Sequence, residues 1–536
     1  MALVAGIREH SVPMREAVGG VPRHYNFAAD ILQRNLAAGR AGKAAFIDPA
    51  GVWTYGQLAE RSDRFANALR RLGVRPEERM LMCMLDTAEW PIAFLGALKA
   101  GVVAIPVNTL MCQDDYRFML ADSRARVLVV SQALWPRFEG LVSQMPDLEH
   151  VIVVGGDGQG TARFEELMDR SPPGFSVAPT TCDDIAFWLY TSGSTGKPKG
   201  AVHCHADLKL TDDLYGGPYL GLTEEDVCYS VAKLFFAYGL GNALTFPMSA
   251  GATTVLLPDR PTPDAVAMLL RRHKVSVFYA VPTFYAAFLT SPEMPARGEV
   301  PLRRCVSAGE ALPPEVGRRW SERTGCDILD GLGSTEMLHI FLSNHPSDVK
   351  YGTSGKPVPG YRIKLVDDDG APAKRGEMGE LLVCGPTSAA MYWNNRDQSR
   401  ATFLGEWTRS GDKYIEDEDG YFVYCGRRDD MLKVSGLYVS PFEVEAALLT
   451  HADVLEAAVV AWPDGEGLIK PKAFVVLSSR ARAIEADAMA RTLQDHVKQA
   501  LAPYKYPRWI EFREELPKTA TGKIQRFKLR AEGAAR

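Results

Sequence analysis

The sequence predicts an α/β protein in two parts. The first is a large N-terminal domain, residues 1–428, made of α/β subdomains with mostly parallel sheets; the second is a small α+β domain over residues 429–536. Three observations carry that expectation. A chain of 536 residues is too long for one simple hydrophobic core. Short β-branched runs alternate with helical patterns through the first part, which is how parallel strands covered on both faces are written. Beyond Asp429 the pattern changes to a compact module of about one hundred residues, within the usual range of a single domain.

The elements follow in order. Thr54 and Gln57 form a capping box ahead of an apolar face of Leu58, Phe65, Leu69 and Leu72, and Gly73 closes that helix. Residues 80–85 predict a strand, 92–100 a helix stopped by Gly101, and 102–107, 127–130 and 151–154 three further strands. Residues 275–281 are another β-rich run, and 305–310 a strand entering a turn of small residues. In the C-terminal module, 454–461 and 473–477 are the clearest strands, while Leu493, Val497 and Leu501 share one face of a helix ending near Pro503.

Hydrophobic content of 46% and charged content of 24% describe an ordinary globular protein. A net charge of −5, without a basic run interleaved with aromatics, argues against a nucleic-acid partner. Nine cysteines without a CxxC pair predict reduced thiols in a cytoplasmic protein, in place of a disulfide frame or zinc site. No secretory signal and no apolar segment of membrane-spanning length are present, so no membrane association is expected.

The most informative stretch is Tyr190-Thr191-Ser192-Gly193-Ser194-Thr195-Gly196-Lys197-Pro198-Lys199-Gly200, behind the apolar run 185–190. Glycines let the backbone turn several N–H groups toward one point, hydroxyls add donors, and Lys197 and Lys199 add charge. This describes a polyphosphate cradle; the bland reading is a flexible Ser/Gly linker. It is not a P-loop, because Pro198 stands where that motif carries a hydroxyl for magnesium. His203 and His205 alternate, so on a strand they would share a face; a metal pair is conceivable, but no third ligand follows at the right spacing, and the expectation is two strand residues behind the loop.

The eleven-residue stretch resembles the phosphate loop of the adenylate-forming superfamily, which includes acyl- and aryl-CoA ligases, peptide-synthetase adenylation domains and firefly-type luciferases. Further motifs extend the resemblance almost end to end. Asp330-Gly331-Leu332-Gly333-Ser334-Thr335-Glu336 is similar to the second nucleotide motif, whose hydroxyl contacts phosphate and whose glutamate helps to hold Mg²⁺, although Leu332 stands where most relatives carry an aromatic residue. Gly309 and Glu310 fall in the turn that lies along the adenine in the family. Trp407-Thr408-Arg409-Ser410-Gly411-Asp412 resembles the motif whose aspartate takes the ribose hydroxyls. In Gly426–Gly436, Arg427 matches a nucleotide contact, Asp429 the hinge of a mobile small domain, and Lys433, Ser435 and Gly436 the cofactor side of the cleft, the last two lining the pantetheine tunnel. Leu516-Pro517-Lys518-Thr519-Ala520-Thr521-Gly522-Lys523 matches the C-terminal motif that carries the adenylation lysine, here Lys523.

Within that family, Phe236-Ala237-Tyr238-Gly239 and Met337-Leu338-His339-Ile340 resemble benzoate-type ligases. The aromatic run over residues 234–241, which contains the first of these, reads either as core packing at a helix start or as one wall of a flat aromatic pocket, and Ala237 stands where many members have histidine. His339 is either close to the substrate carboxylate or ring, or a satisfied structural histidine. Leu332 and Ile340 complete the expected substrate set.

The resemblance implies an enzyme using ATP, Mg²⁺ and coenzyme A on a small aromatic carboxylic acid. Thr191, Ser192, Gly193, Thr195, Gly196 and Lys199 would hold phosphates; Thr191, Glu336 and Lys523 are the catalytic expectations, with Glu336 the metal ligand. Lys470 and Lys472 are candidates for CoA phosphates without a motif behind them. The alternatives are an adenylating enzyme that loads a carrier protein, a ligase for a non-benzoate acid, a luciferase-like oxidation, and a nucleotide-binding regulator without catalysis. Family precedent allows a homodimer, which no motif in the chain marks.

Overall fold

The computed structural model describes residues 20–156, 162–191, 198–427, 430–434, 437–464, 468–478, 485–502, 504–518 and 524–534. Two large sheets dominate the first part. One has eight strands in the order Met391–Tyr392, Lys199–Cys204, Ile185–Thr191, Val103–Pro106, Arg79–Cys83, Val127–Ser131, His150–Val154 and Ala162–Arg163. The other has nine, in the order Lys356–Pro357, Ile340–Ser343, Ile328–Gly333, Arg304–Ala308, Val277–Ala280, Val227–Ser230, Thr253–Val255, Ala44–Asp48 and Gly51–Thr54. Their central strands are parallel and buried on both faces, so they are written as continuous apolar runs such as Val127–Ser131. Antiparallel pairs are confined to the strands that flank them, including Lys199–Cys204 against Ile185–Thr191 and Ile340–Ser343 against Ile328–Gly333.

Local chemistry sets the helix ends. Gln57 N donates to Thr54 Oγ1 (3.2 Å) and Thr54 N to Gln57 Oε1 (2.9 Å), so the capping box starts Tyr55–Arg71, and Gly73 follows its end at φ +77°. Such a cap stabilises a helix by about 1 kcal/mol. The helix expected from residue 92 begins earlier, as Glu89–Lys99. Pro91 lies in its first turn, where the missing N–H has no intrahelical partner to lose.

A third, five-stranded antiparallel sheet over Arg362–Val366, Met378–Cys384, Phe403–Leu404, Trp407–Glu416 and Phe422–Arg427 has no counterpart in the sequence reading. It delivers Asp412 and Arg427 as direct cross-strand neighbours.

The small part is α+β, as expected. Val454–Pro463 and Ile469–Leu477 pair antiparallel, and Trp509–Phe512 joins parallel to the second. Helices Pro441–Leu449 and Ala486–Ala500 pack Val444, Leu448, Met489, Leu493 and Val497 into their common core. No helix among the described residues is long and apolar enough to cross a membrane.

Candidate active site

The glycine-rich stretch joins the two strands of a hairpin. Thr191 and Lys199 are cross-strand partners at its open end; Ser192, Gly193, Thr195 and Gly196, between them, lie outside the described residues. Trp188 stacks on Trp393 (4.6 Å between centroids), and a side chain on Gly200 would meet Trp188 Cδ1 at 2.9 Å, so the hairpin needs glycine there. Lys199 Nζ sits 5.0 Å from the Tyr392 ring centroid and 3.4 Å from Gln398 Oε1.

The two histidines beyond the hairpin separate, which corrects the expectation of a shared strand face. His203 is on the strand, fully buried, with Nε2 donating to the Thr335 carbonyl (2.8 Å) and Nδ1 3.1 Å from Asp207 Oδ2. His205 instead opens the helix His205–Thr211, because Asp207 accepts from Cys204 N (3.0 Å) and starts that helix. Its Nδ1 accepts from Phe27 N, and burial pulls its pKa down to about 4.

The second motif forms the turn between strands Ile328–Gly333 and Ile340–Ser343. Added Cβ atoms would lie 2.7 Å from the Leu342 carbonyl at Gly331 and 2.6 Å from the His339 carbonyl at Gly333, so the close approach of these strands requires both glycines. Asp330 is buried, its carbonyl accepts from Asn344 N (2.9 Å), and burial holds its carboxyl well above the ordinary range. Leu332 is half-buried at the margin of the neighbouring core, and Ser334 Oγ accepts from Met337 N (3.2 Å). Glu336 is held twice: Ala389 N donates to its carbonyl (2.7 Å) and Tyr392 Oη to its Oε1 (2.6 Å).

Around the aromatic run, Ala237 and His339 face a narrow gap that is also lined by Leu208, Thr211, Gly241 and Thr245. Gly241 closes the aromatic run that the sequence offers as a pocket wall; sequence reasoning misses the other three, since Leu208 and Thr211 on a helix face look like any core pair. His339 Nε2 donates to Asn242 Oδ1 (3.1 Å) among the rings of Phe246 (4.6 Å), Tyr215 and Tyr238 (both 5.5 Å), and burial lowers its pKa to about 3. His339 therefore has its own structural partner as well as a face on the gap. Phe236 is half-buried and packs on Phe235 (4.5 Å); Tyr238 Oη donates to the Val306 carbonyl (3.0 Å). Gly239 is a packing glycine: a Cβ there would fall 2.0 Å from the Lys233 carbonyl. Ile340 departs from the expected substrate set, because it pairs with Gly333 and its side chain is buried in the core with Val306, Met337 and Phe341. Leu234 N donates to the buried Asp86 carboxylate, whose pKa burial raises to about 6, and this anchors the start of the aromatic run.

The remaining expected residues belong to other elements. Gly309, at φ +97°, and Glu310 follow strand Arg304–Ala308, and Glu310 Oε2 accepts from Thr283 Oγ1 (2.7 Å). Asp412 is buried with Arg427 Nη1 3.5 Å from its Oδ1. Lys433 lies on strand Leu432–Val434, which pairs with Leu437–Val439; Asp429, Ser435 and Gly436 lie outside the described residues, as does Lys523. On the C-terminal side of Lys523, Gln525 N donates to the Pro517 carbonyl (2.8 Å) and Lys518 bridges to Ile524. Arg526 then makes two bonds to Glu445, Nε to Oε1 (3.1 Å) and Nη2 to Oε2 (2.6 Å). Lys472 does not stand ready for a CoA phosphate: it is buried, 3.7 Å from the Trp462 ring centroid and 2.9 Å from Glu511 Oε2. Lys470 is half-buried on the same strand.

A two-part α/β protein with a glycine-rich hairpin set against a half-buried acidic turn defines a class of nucleotide-handling enzymes. The chain belongs to the AMP-binding enzyme family, which residues 33–393 match, and residues 443–523 match the AMP-binding enzyme C-terminal domain. It is 58% identical to a benzoate–CoA ligase of Thauera aromatica, over 95% of this chain and 97% of that protein. It is 50% identical to a 4-hydroxybenzoate–CoA/benzoate–CoA ligase of Rhodopseudomonas palustris, over 95% and 94%. Among solved structures, a benzoate CoA ligase from Burkholderia xenovorans superposes with a TM-score of 0.89 at 54% identity, covering 94% of this chain and all of that one. An anthranilate CoA ligase in complex with anthranoyl-AMP superposes with a TM-score of 0.92 at 46% identity, covering 96% and 99%.

Proposed function

We propose that this chain is an aryl-CoA ligase that converts benzoate or a substituted benzoate, ATP and CoA into aryl-CoA, AMP and diphosphate through an acyl-adenylate. The observation that supports it most is the likeness, over nearly the whole chain, to benzoate–CoA ligase at 58% identity. A carboxylate is a poor electrophile because its leaving group would be oxide. Attack by its oxygen on the α-phosphorus expels diphosphate and leaves AMP as a good leaving group, which the CoA thiol then displaces.

Both first-step reactants are anions, so positioning and charge neutralisation are the protein's work. In this reading Thr191, Ser192, Gly193, Thr195, Gly196 and Lys199 hold the β- and γ-phosphates, Ser334 and Thr335 add contacts, and Gly309, Glu310, Asp330 and Gly331 border the adenine. Asp412 takes the ribose hydroxyls beside Arg427. Lys523 bridges the substrate carboxylate and the α-phosphate. The ring lies against Phe236, Ala237, Tyr238 and His339. Glu336 fits Mg²⁺, since it offers a hard carboxylate oxygen close to the phosphate hairpin; the ion, when bound, would offset phosphate charge. The division at residues 428/429 and rotation about Asp429, which exchanges Lys523 for the tunnel at Ser435 and Gly436, belong to the same proposal.

The test is a panel of ring-substituted benzoates in an AMP-release assay with and without CoA. Benzoate turnover that accelerates with CoA is expected. AMP release indifferent to CoA would instead favour an enzyme loading a carrier protein.

A further inference from the structure

We propose that Tyr392 is a positioning residue for Glu336, deciding which carboxylate oxygen is presented to the divalent cation that accompanies ATP. The proposal rests on the reading of Glu336 as the metal-holding carboxylate. Nothing in the resemblance or the motifs points to this tyrosine.

Three contacts from one short segment hold the turn. Thr387 Oγ1 donates to the Met337 carbonyl (2.8 Å), Ala389 N to the Glu336 carbonyl (2.7 Å) and Tyr392 Oη to Glu336 Oε1 (2.6 Å). The first two fix the backbone; only the third acts on the carboxylate. An O–H···O⁻ bond of that length is charge-assisted, roughly twice as strong as a neutral one.

Tyr392 is itself immobilised. It is 4% exposed, its N donates to Ser399 Oγ (2.9 Å), and its ring packs against Phe403 (5.2 Å between centroids). It also pairs with Ala201 on the strand that begins at Lys199, whose ammonium lies over the same ring. Tyr392 thus links the strand leaving the phosphate hairpin to the acidic turn, two pieces of chain that the sequence places far apart.

The consequence for a cation is chemical. With Oε1 committed to a hydroxyl, Oε2 is the oxygen left to coordinate, so Glu336 supplies one ligand instead of chelating with two. Mg²⁺ has six positions and keeps most of them for phosphate oxygens and water, so a single protein oxygen in a fixed orientation suits it. Residues that orient a ligand from behind typically change metal affinity by about 10–100-fold when removed.

The experiment uses the full chain, Mn²⁺ as the probe and a non-hydrolysable α,β-methylene ATP analogue, with metal affinity read from water-proton relaxation. Tyr392→Phe keeps the ring against Phe403 and Lys199 and removes only the hydroxyl. Mn²⁺ affinity in the nucleotide complex is expected to fall by about 10–100-fold, while analogue binding in EDTA stays at the wild-type value and excess Mg²⁺ restores turnover. A general structural defect would weaken analogue binding in EDTA and leave turnover low in excess Mg²⁺, and that result would overturn the proposal. So would a Tyr392→Phe protein that binds Mn²⁺ like wild type while Glu336→Gln does not. If Glu336→Gln also binds Mn²⁺ like wild type, the metal-holding reading of Glu336 fails, and the role of Tyr392 fails with it.

Discussion

His203 Nε2 donates to the carbonyl oxygen of Thr335 across 2.8 Å, joining residues 132 apart in the chain. One belongs to the strand leaving the glycine-rich hairpin, the other to the turn that carries Glu336. The donor is fully buried, so the bond is not exchanged for water when the protein moves. It registers the phosphate-binding side of the proposed cleft against the acidic side.

His203→Ala removes that tie and leaves the Thr335 carbonyl and the Asp207 carboxylate without it. A buried acceptor deprived of its donor costs about 1–3 kcal/mol. The variant is expected to melt lower by the corresponding amount and to lose acid-dependent ATP–diphosphate exchange disproportionately, since the two elements proposed to hold phosphate and metal would drift apart. Exchange at wild-type rate in a folded His203→Ala protein would show that the two turns hold their spacing without this bond.

Arg526 and Glu445 make a buried two-bond ion pair, with the side chains 13% and 7% exposed. Arg526 follows Lys523 by three residues, so the pair anchors the chain where the motif ends. Glu445 also accepts from Val459 N (2.6 Å), which ties the anchor to strand Val454–Pro463 of the small domain. Arg526→Ala leaves a buried carboxylate unpaired, at a cost of about 3–5 kcal/mol. Limited proteolysis is expected to cut the C-terminal part first, and diphosphate exchange to fall with it. Glu445→Gln/Arg526→Met, which removes both charges together, is expected to recover much of the stability.

Lys523→Ala is expected to reduce acid-dependent ATP–diphosphate exchange by at least about 100-fold, the scale of losing one transition-state charge partner. Thioester formation from a supplied benzoyl-adenylate should largely survive, because the adenylate already contains the bond that Lys523 is proposed to help make. Equal loss of both half-reactions, measured on the same preparation, would remove this residue from the adenylation step. Conversely, Gly436→Trp should spare exchange and block thioester formation if the pantetheine passes there.

The sequence makes legible what is local or sterically obligatory. Thr54 and Gln57 announce their helix because both partners of the cap lie within one turn, and Gly331 and Gly333 mark a close backbone approach because nothing larger fits. Parallel strands such as Val127–Ser131 and Val277–Ala280 are readable as apolar runs, whereas Val227–Ser230 and Thr253–Val255 are short and carry hydroxyl residues, so they are not. The five-stranded antiparallel sheet is not, because Trp407–Glu416 carries Arg409, Ser410, Gly411 and Asp412 in mid-strand and breaks the alternation. His205 is misassigned to a strand for a related reason: the helix start depends on Asp207 capping Cys204 N, and Cys204 is a poor N-cap signal. Tyr392 is invisible because its partner Glu336 lies 56 residues away and no spacing rule connects them. Ile340 and His339 share a motif, but their side chains diverge, one into the core and one to the gap.

His339 supplies the pH test. Burial places its folded-state pKa at about 3, below the ~6.5 of an unperturbed imidazole. A folded pKa lower than the unfolded one means that the unfolded chain binds the extra proton first. The neutral ring therefore contributes stability above pH ~6.5 that is lost as pH falls from there toward the folded value, by up to about 1.4 kcal/mol per pH unit. His339→Gln removes that dependence and keeps an amide that can reach Asn242. Chemical denaturation at a series of pH values is expected to show the variant losing less stability than wild type between pH ~6.5 and ~4.5. In the wild-type protein the His339 ring resonances should stay put over the same range, because Nε2 donating to Asn242 Oδ1 holds a single neutral tautomer. A His339 signal titrating near 6.5 would mean that water reaches the ring, and the gap beside Ala237 would then be open to solvent.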